Sequence, residues 1–179
     1  MRILPGLAMS AAILLTGVGL ATAAPAAGAA PAAAAAPAVH RDAREQVPPA
    51  LLGMWKADTA ASTYPGAKPR NALRSFQYTA DGKVLVTFMT LGATGAYTTG
   101  HWAAQVDGTP GIEYHSAAGS IPYNTVNFKK VDERNFTLGV YRNGVQNLSA
   151  TYELSADGQT LTYRYDQTVI IYRRWNLAD

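Results

Sequence analysis

Along the second two-thirds of the chain, apolar and aromatic residues alternate with polar ones at a period of two, the spacing of a half-buried strand rather than of a helix face. Residues 71–79 put Phe76 and Tyr78 on one face, while Leu73 shares the other with Ser75, Gln77 and Thr79, residues that belong in water. The stretch 83–91, KVLVTFMTL, is β-branched and aromatic on both faces, so its phase stays open. Further strand-like segments cover 97–106, 111–115, 123–131, 135–141, 145–154, 160–166 and 169–175, and nothing between them carries a helical stripe of ten residues. Asp81-Gly82, Asp107-Gly108, Asn143-Gly144 and Asp157-Gly158 separate consecutive segments. Such dipeptides enter positive φ easily and close tight hairpins. Residues 132–135 supply a fifth, longer turn, and 58–62 suit one helical turn capped by Asp58 and ended by Tyr64-Pro65-Gly66.

Hairpins between nearly all neighbours predict an all-β fold, an up-and-down antiparallel barrel of eight to ten strands. A sandwich of the Greek-key type needs long crossovers that this chain lacks, and closing the meander removes its edges. Alternation also propagates from the anchored strand, because tight turns preserve phase between neighbours. The expected inward set is Phe76, Tyr78, Phe128, Phe136, Leu138, Tyr152, Tyr163 and Tyr165, with the tyrosines lining whatever pocket the barrel holds.

Ahead of the strands the pattern changes twice. Arg2, an apolar run over residues 3–20 and the triplet Ala21-Thr22-Ala23 read as a signal peptide over 1–23, cleaved on export to the periplasm or beyond. Residues 24–49 are mostly Ala and Pro, with no apolar payload to offset ordering entropy, and read as a disordered linker. The barrel domain then occupies 50–179. After cleavage no membrane span is expected.

Composition narrows the chemistry. The chain of 179 residues has no cysteine, which excludes disulfide scaffolds, thiolate metal sites and thiol nucleophiles. Its net charge of +3 is too small for a nucleic-acid footprint.

Gly53-Met54-Trp55-Lys56 opens the first strand and Tyr172-Arg173-Arg174 closes the last. This pairing of Gly-x-Trp with a terminal basic residue resembles the lipocalin and wider calycin pattern. The fuller match is to exported bacterial lipocalin-like proteins, through GMWKADTAASTYPG, VNFKKVDERNFTL and YELSADGQTLTYRY. Met54, Asp58, Ala61 and the short last hairpin at Asp166-Gln167-Thr168 depart from that group. The resemblance implies that Trp55 plugs one barrel end with Arg174 across its indole, Gly53 being the third signature residue. It implies no catalytic residue.

Candidate chemistry is sparse. Glu113 and His115 share a strand face, and His101 could join them as a three-ligand zinc site, but spacing alone supports it and both histidines serve equally as wall or loop residues. Most carboxylates sit in turns, and no Gly-x-Ser-x-Gly elbow or phosphate loop occurs. No metal, cofactor or catalytic set is therefore assigned. Tyrosines offer an apolar face with a hydroxyl, and Tyr97, Thr99, His101 and Gln105 share one phase like the mixed wall of a cavity. The expected cavity residues are Tyr78, Tyr97, His101, Tyr152, Tyr163 and Tyr165. The expected function is the binding of a small, hydrophobic or amphipathic molecule inside the barrel. The alternative is an inhibitor-like barrel that grips a protein partner through its rim.

Overall fold

A computed structural model describes residues 42–116 and 124–176. Ten strands follow one another: β1 (Gly53–Ala57), β2 (Asn71–Tyr78), β3 (Val84–Leu91), β4 (Tyr97–Ala104), β5 (Gly111–His115), β6 (Asn124–Lys130), β7 (Asn135–Arg142), β8 (Val145–Leu154), β9 (Thr160–Tyr165) and β10 (Thr168–Trp175). Each pairs antiparallel with its sequence neighbours, and β1 pairs with β10, so the meander closes into a barrel without crossovers. This is the architecture that the chain of hairpins predicts, and it is consistent with a calycin-like fold. Among the described residues, no helix is long and apolar enough to cross a membrane.

The turns explain the register. Asn143 and Gly144 both have positive φ, 52° and 78°, which gives the two-residue loop between β7 and β8 the twist its strands require. Between β1 and β2, Asp58 caps a turn rather than a helix: its Oδ1 accepts from the Ala61 amide at 3.1 Å, and the Ser62 hydroxyl donates to the Asp58 carbonyl at 2.6 Å.

Four turn aspartates hold their carboxyls below the usual value of 3.8, through the Ala61 amide at Asp58, the Lys83 side chain at Asp81, the Arg134 amide at Asp132 and the Ser155 hydroxyl at Asp157. A depressed folded-state pKa contributes stability above the unfolded value that is lost as pH falls through the folded one. Thermal melts from pH 7 to pH 2 are therefore expected to hold steady down to about pH 4 and to fall below it. Asp132→Asn should flatten that acid limb.

One barrel end is sealed by a segment that its composition places in the linker. Residues 43–46 form one helical turn, α1 (Ala43–Gln46), followed by a 3₁₀ turn (Pro49–Leu51). Ala43, Val47 and Leu51 are buried. The Ala43 amide donates to the Gly82 carbonyl at 2.9 Å, and the Arg44 guanidinium donates to the Thr79 carbonyl at 2.8 Å. The expected boundary at residue 50 is thus corrected, because the folded unit already includes Asp42. What decides it is three well-spaced apolar side chains, Ala43, Val47 and Leu51, which the Pro-rich background masks. The proposed signal peptide and the rest of the linker lie outside the described residues.

Trp55 fills the same end. Its side chain is fully buried, its Nε1 donates to the Leu51 carbonyl at 2.9 Å, and the Arg174 guanidinium lies over the indole, 4.1 Å from the ring centroid. Arg174 also donates to the carbonyls of Ala50, Leu52 and Gly158. Gly53 has φ +103°, and a Cβ there would stand 3.1 Å from the Arg174 guanidinium, so glycine at this position serves both the backbone and the cation. Above this plug the inward side chains stack in aromatic layers. The Phe128 ring lies parallel to that of Phe136 at 5.3 Å, and Trp102 and Tyr152 flank it at 5.1 and 6.1 Å.

Candidate functional site

The other end of the barrel is hollow. A cavity of about 360 Å³ lies among the ends of β3, β5 and β9 and the middle of β2, β4, β7 and β10. Its wall includes Phe88, Trp102, Leu138, Val140, Tyr163, Tyr165, Ile170 and Tyr172, together with the polar Arg74, Thr90, Glu113, His115, Asn124 and Asn147. The volume falls at the small end of the roughly 300–1,000 Å³ range of ligand sites, and the wall presents polar and apolar surface in similar amounts.

The two charged wall residues are held differently. Arg74 stands on β2 between Trp55 of β1 and Phe88 of β3 and is 9% exposed. Its guanidinium carbon lies 4.5 Å from the Tyr163 ring centroid, 5.3 Å from Tyr152, 5.6 Å from Phe88 and 5.8 Å from Tyr172. Ring faces stabilise a cation but offer its N–H groups no lone pair, and the buried Nε has no hydrogen-bond partner. Glu113, 6% exposed, pairs across β5 and β6 with Asn124, whose Nδ2 donates to Glu113 Oε2 at 2.6 Å. Asn124 Oδ1 in turn accepts from Arg142 Nε at 3.1 Å, so the amide links the carboxylate to the Arg142 guanidinium.

Burial pushes the Tyr163 hydroxyl up to about 12, against the opposing pull of Arg74. Tyr163 therefore keeps its proton at any physiological pH and stays a donor.

The predicted inward set is inward throughout: Phe76, Phe128, Phe136, Leu138, Tyr152 and Tyr163 are buried, and Tyr78 and Tyr165 pack against them. Not every tyrosine reaches the cavity, however. Tyr163 and Tyr165 line it. Tyr152 lies beneath, its ring stacked on Tyr163 at 4.6 Å. Tyr78 belongs to the sealed end, where its hydroxyl donates to the Val47 carbonyl at 3.0 Å and its ring faces Arg44.

Tyr97 and His101 correct the sequence reading outright. Both point out of the barrel: Tyr97 is 60% exposed with its hydroxyl on the Met89 sulfur, and the exposed His101 stacks on Tyr114 at 5.2 Å. The inward phase of β4 belongs to Gly100, Trp102 and Ala104, and the fully buried indole of Trp102 decides it. The zinc arrangement consequently does not assemble, since His101 is outside while Glu113 and His115 line the interior. Among the described residues no group of three metal-ligating side chains gathers.

Arg74 and Asn124 went unremarked at the level of sequence, although the first left a signal. Arg74 shares its alternation phase with Phe76 and Tyr78, so a strand anchored by those two aromatics carries a cation inward. No known family, curated protein or solved structure matches the chain.

Proposed function

We propose that this chain is an exported barrel that holds one small, partly apolar molecule in the cavity at its open end. The observation that carries the reading is the cavity itself: about 360 Å³ of space inside a closed barrel whose other end is plugged by Trp55 and covered by residues 42–51. A barrel evolved only for rigidity fills its interior with side chains. Here the lower half is filled by Phe76, Phe128, Phe136 and Tyr152, and the upper half is left open between aromatic faces and a few polar groups. Export rests on the pattern of Arg2, the apolar run and Ala21-Thr22-Ala23.

Native mass spectrometry of the purified protein tests the binding role, together with the indole N–H signal of Trp102, which lines the cavity, in the presence of a fragment library. A single bound small molecule, or a saturable shift of that signal, is the expected result. A bare protein whose Trp102 signal no fragment moves would end the proposal.

A further inference from the structure

We infer that the cavity selects a small monoanion, a carboxylate carried on an aromatic or short apolar body, with Arg74 as the group that reads its charge. The inference rests on the reading of the cavity as a ligand site and specifies what that site takes. Two observations carry it independently of any relative.

Arg74 is a buried cation whose charge is met by ring faces alone. Four aromatic rings surround the guanidinium at 4.5–5.8 Å, its Nε lacks a partner, and no described residue accepts a hydrogen bond from it. Buried polar groups are normally satisfied, and a planar fork of N–H donors matches a carboxylate's two oxygens. The guanidinium is part of the cavity wall, so an incoming carboxylate would supply the missing acceptor.

Glu113 decides how many negative charges the ligand carries. It lines the same cavity but forms no ion pair with Arg74 within 4 Å, being tied instead through Asn124 to Arg142. The cavity thus holds one cation whose charge is not otherwise spent, and a carboxylate that repels a second anionic charge in a medium where such repulsion is weakly screened. Glu113 opposes any anion in the cavity, but it repels a dianion such as a phosphate monoester about twice as strongly as a monoanion, while one carboxylate already fills the single guanidinium fork. Phe88, Trp102, Tyr165 and Tyr172 give the rest of the wall flat faces for an aromatic or short apolar body, and the volume of about 360 Å³ suits a small one.

The test is calorimetry on the full chain with four probes of one shape: benzoate, benzamide, benzylamine and phenyl phosphate. Benzoate is expected to bind about tenfold or more tightly than benzamide, the gain of a charge-assisted hydrogen bond over a neutral one, and more tightly than phenyl phosphate. In Arg74→Gln the preference for benzoate over benzamide should vanish. Should that variant fail to fold, Glu113→Gln gives a separate reading, a several-fold gain for benzoate with benzamide unmoved. Equal binding of benzoate and benzamide, a preference for benzylamine or phenyl phosphate, or a preference that survives Arg74→Gln would overturn the inference and leave the binding role standing. Silence from all four probes would overturn the inference, and joined to a bare protein whose Trp102 signal no fragment moves it would overturn the binding role as well.

Discussion

Replacing Trp55 with alanine should destabilise the barrel by about 3–5 kcal/mol, the cost of deleting a buried aromatic and leaving its space unfilled. Three losses coincide at this position. The indole fills the sealed end, its Nε1 satisfies the Leu51 carbonyl, and its face carries the Arg174 guanidinium at 4.1 Å. Because Arg174 also donates to the carbonyls of Leu52 and Gly158, loss of the ring loosens the joint between the first strand, the last strand and the covering segment together. For a domain of this size the change corresponds to a drop in Tm of roughly 10 °C or more, read by thermal melts. Trp55→Phe keeps most of the apolar volume but orphans the Leu51 carbonyl, and should cost about 1–3 kcal/mol. A Trp55→Ala protein that melts within a degree or two of wild type would refute the plug.

Phe128→Ala is expected to cost a similar amount, about 3–5 kcal/mol, for a different reason. Phe128 is the hub of the packed half of the barrel, with Trp102, Phe136 and Tyr152 around its ring at 5.1–6.1 Å. Those neighbours sit on three different strands, so the void cannot collapse by moving one of them. Trp102 also forms part of the cavity wall, so deleting its support should blur the indole signal as well as lower the denaturant midpoint. Chemical denaturation followed by Trp fluorescence measures both. A variant as stable as wild type would show that the layers repack freely.

Most of the fold could be read from the chain because its turns are chemically explicit. Asp-Gly and Asn-Gly pairs fix hairpins, hairpins fix neighbours, and the contrast of Phe76 and Tyr78 with Ser75 and Gln77 fixes one face. Where that contrast fails, so does the reading. On β3 both faces are apolar, with Val84, Leu85 and Val86 in succession, and phase could not be carried across to β4. Tyr97 and His101 were consequently assigned to the interior that Trp102 occupies. The site was harder still, because its decisive group breaks the rule by which strands are read: an arginine among alternating residues is ordinarily counted as outward, and only the rings of Phe88, Tyr152, Tyr163 and Tyr172, drawn from four other strands, make Arg74 tolerable inside. Likewise Ala43, Val47 and Leu51 look like scattered apolar residues until the barrel end they cover exists.

The pairing of β1 with β10 also has a bearing on how the protein comes into being. Nine of the ten strand pairs join neighbours in sequence, and each can form while the chain is still emerging. The tenth joins Met54 to Trp175, and must wait for the final strand. Until then the sheet has two raw borders, each a row of unpaired amides and carbonyls open to pairing with another copy. Contacts of such long sequence separation are slow to form, so the interval before ring closure is when association with other copies competes most strongly. Shortening that interval, by holding the first strand close to the last, is a way to raise the yield of folded protein without adding any contact to the native state.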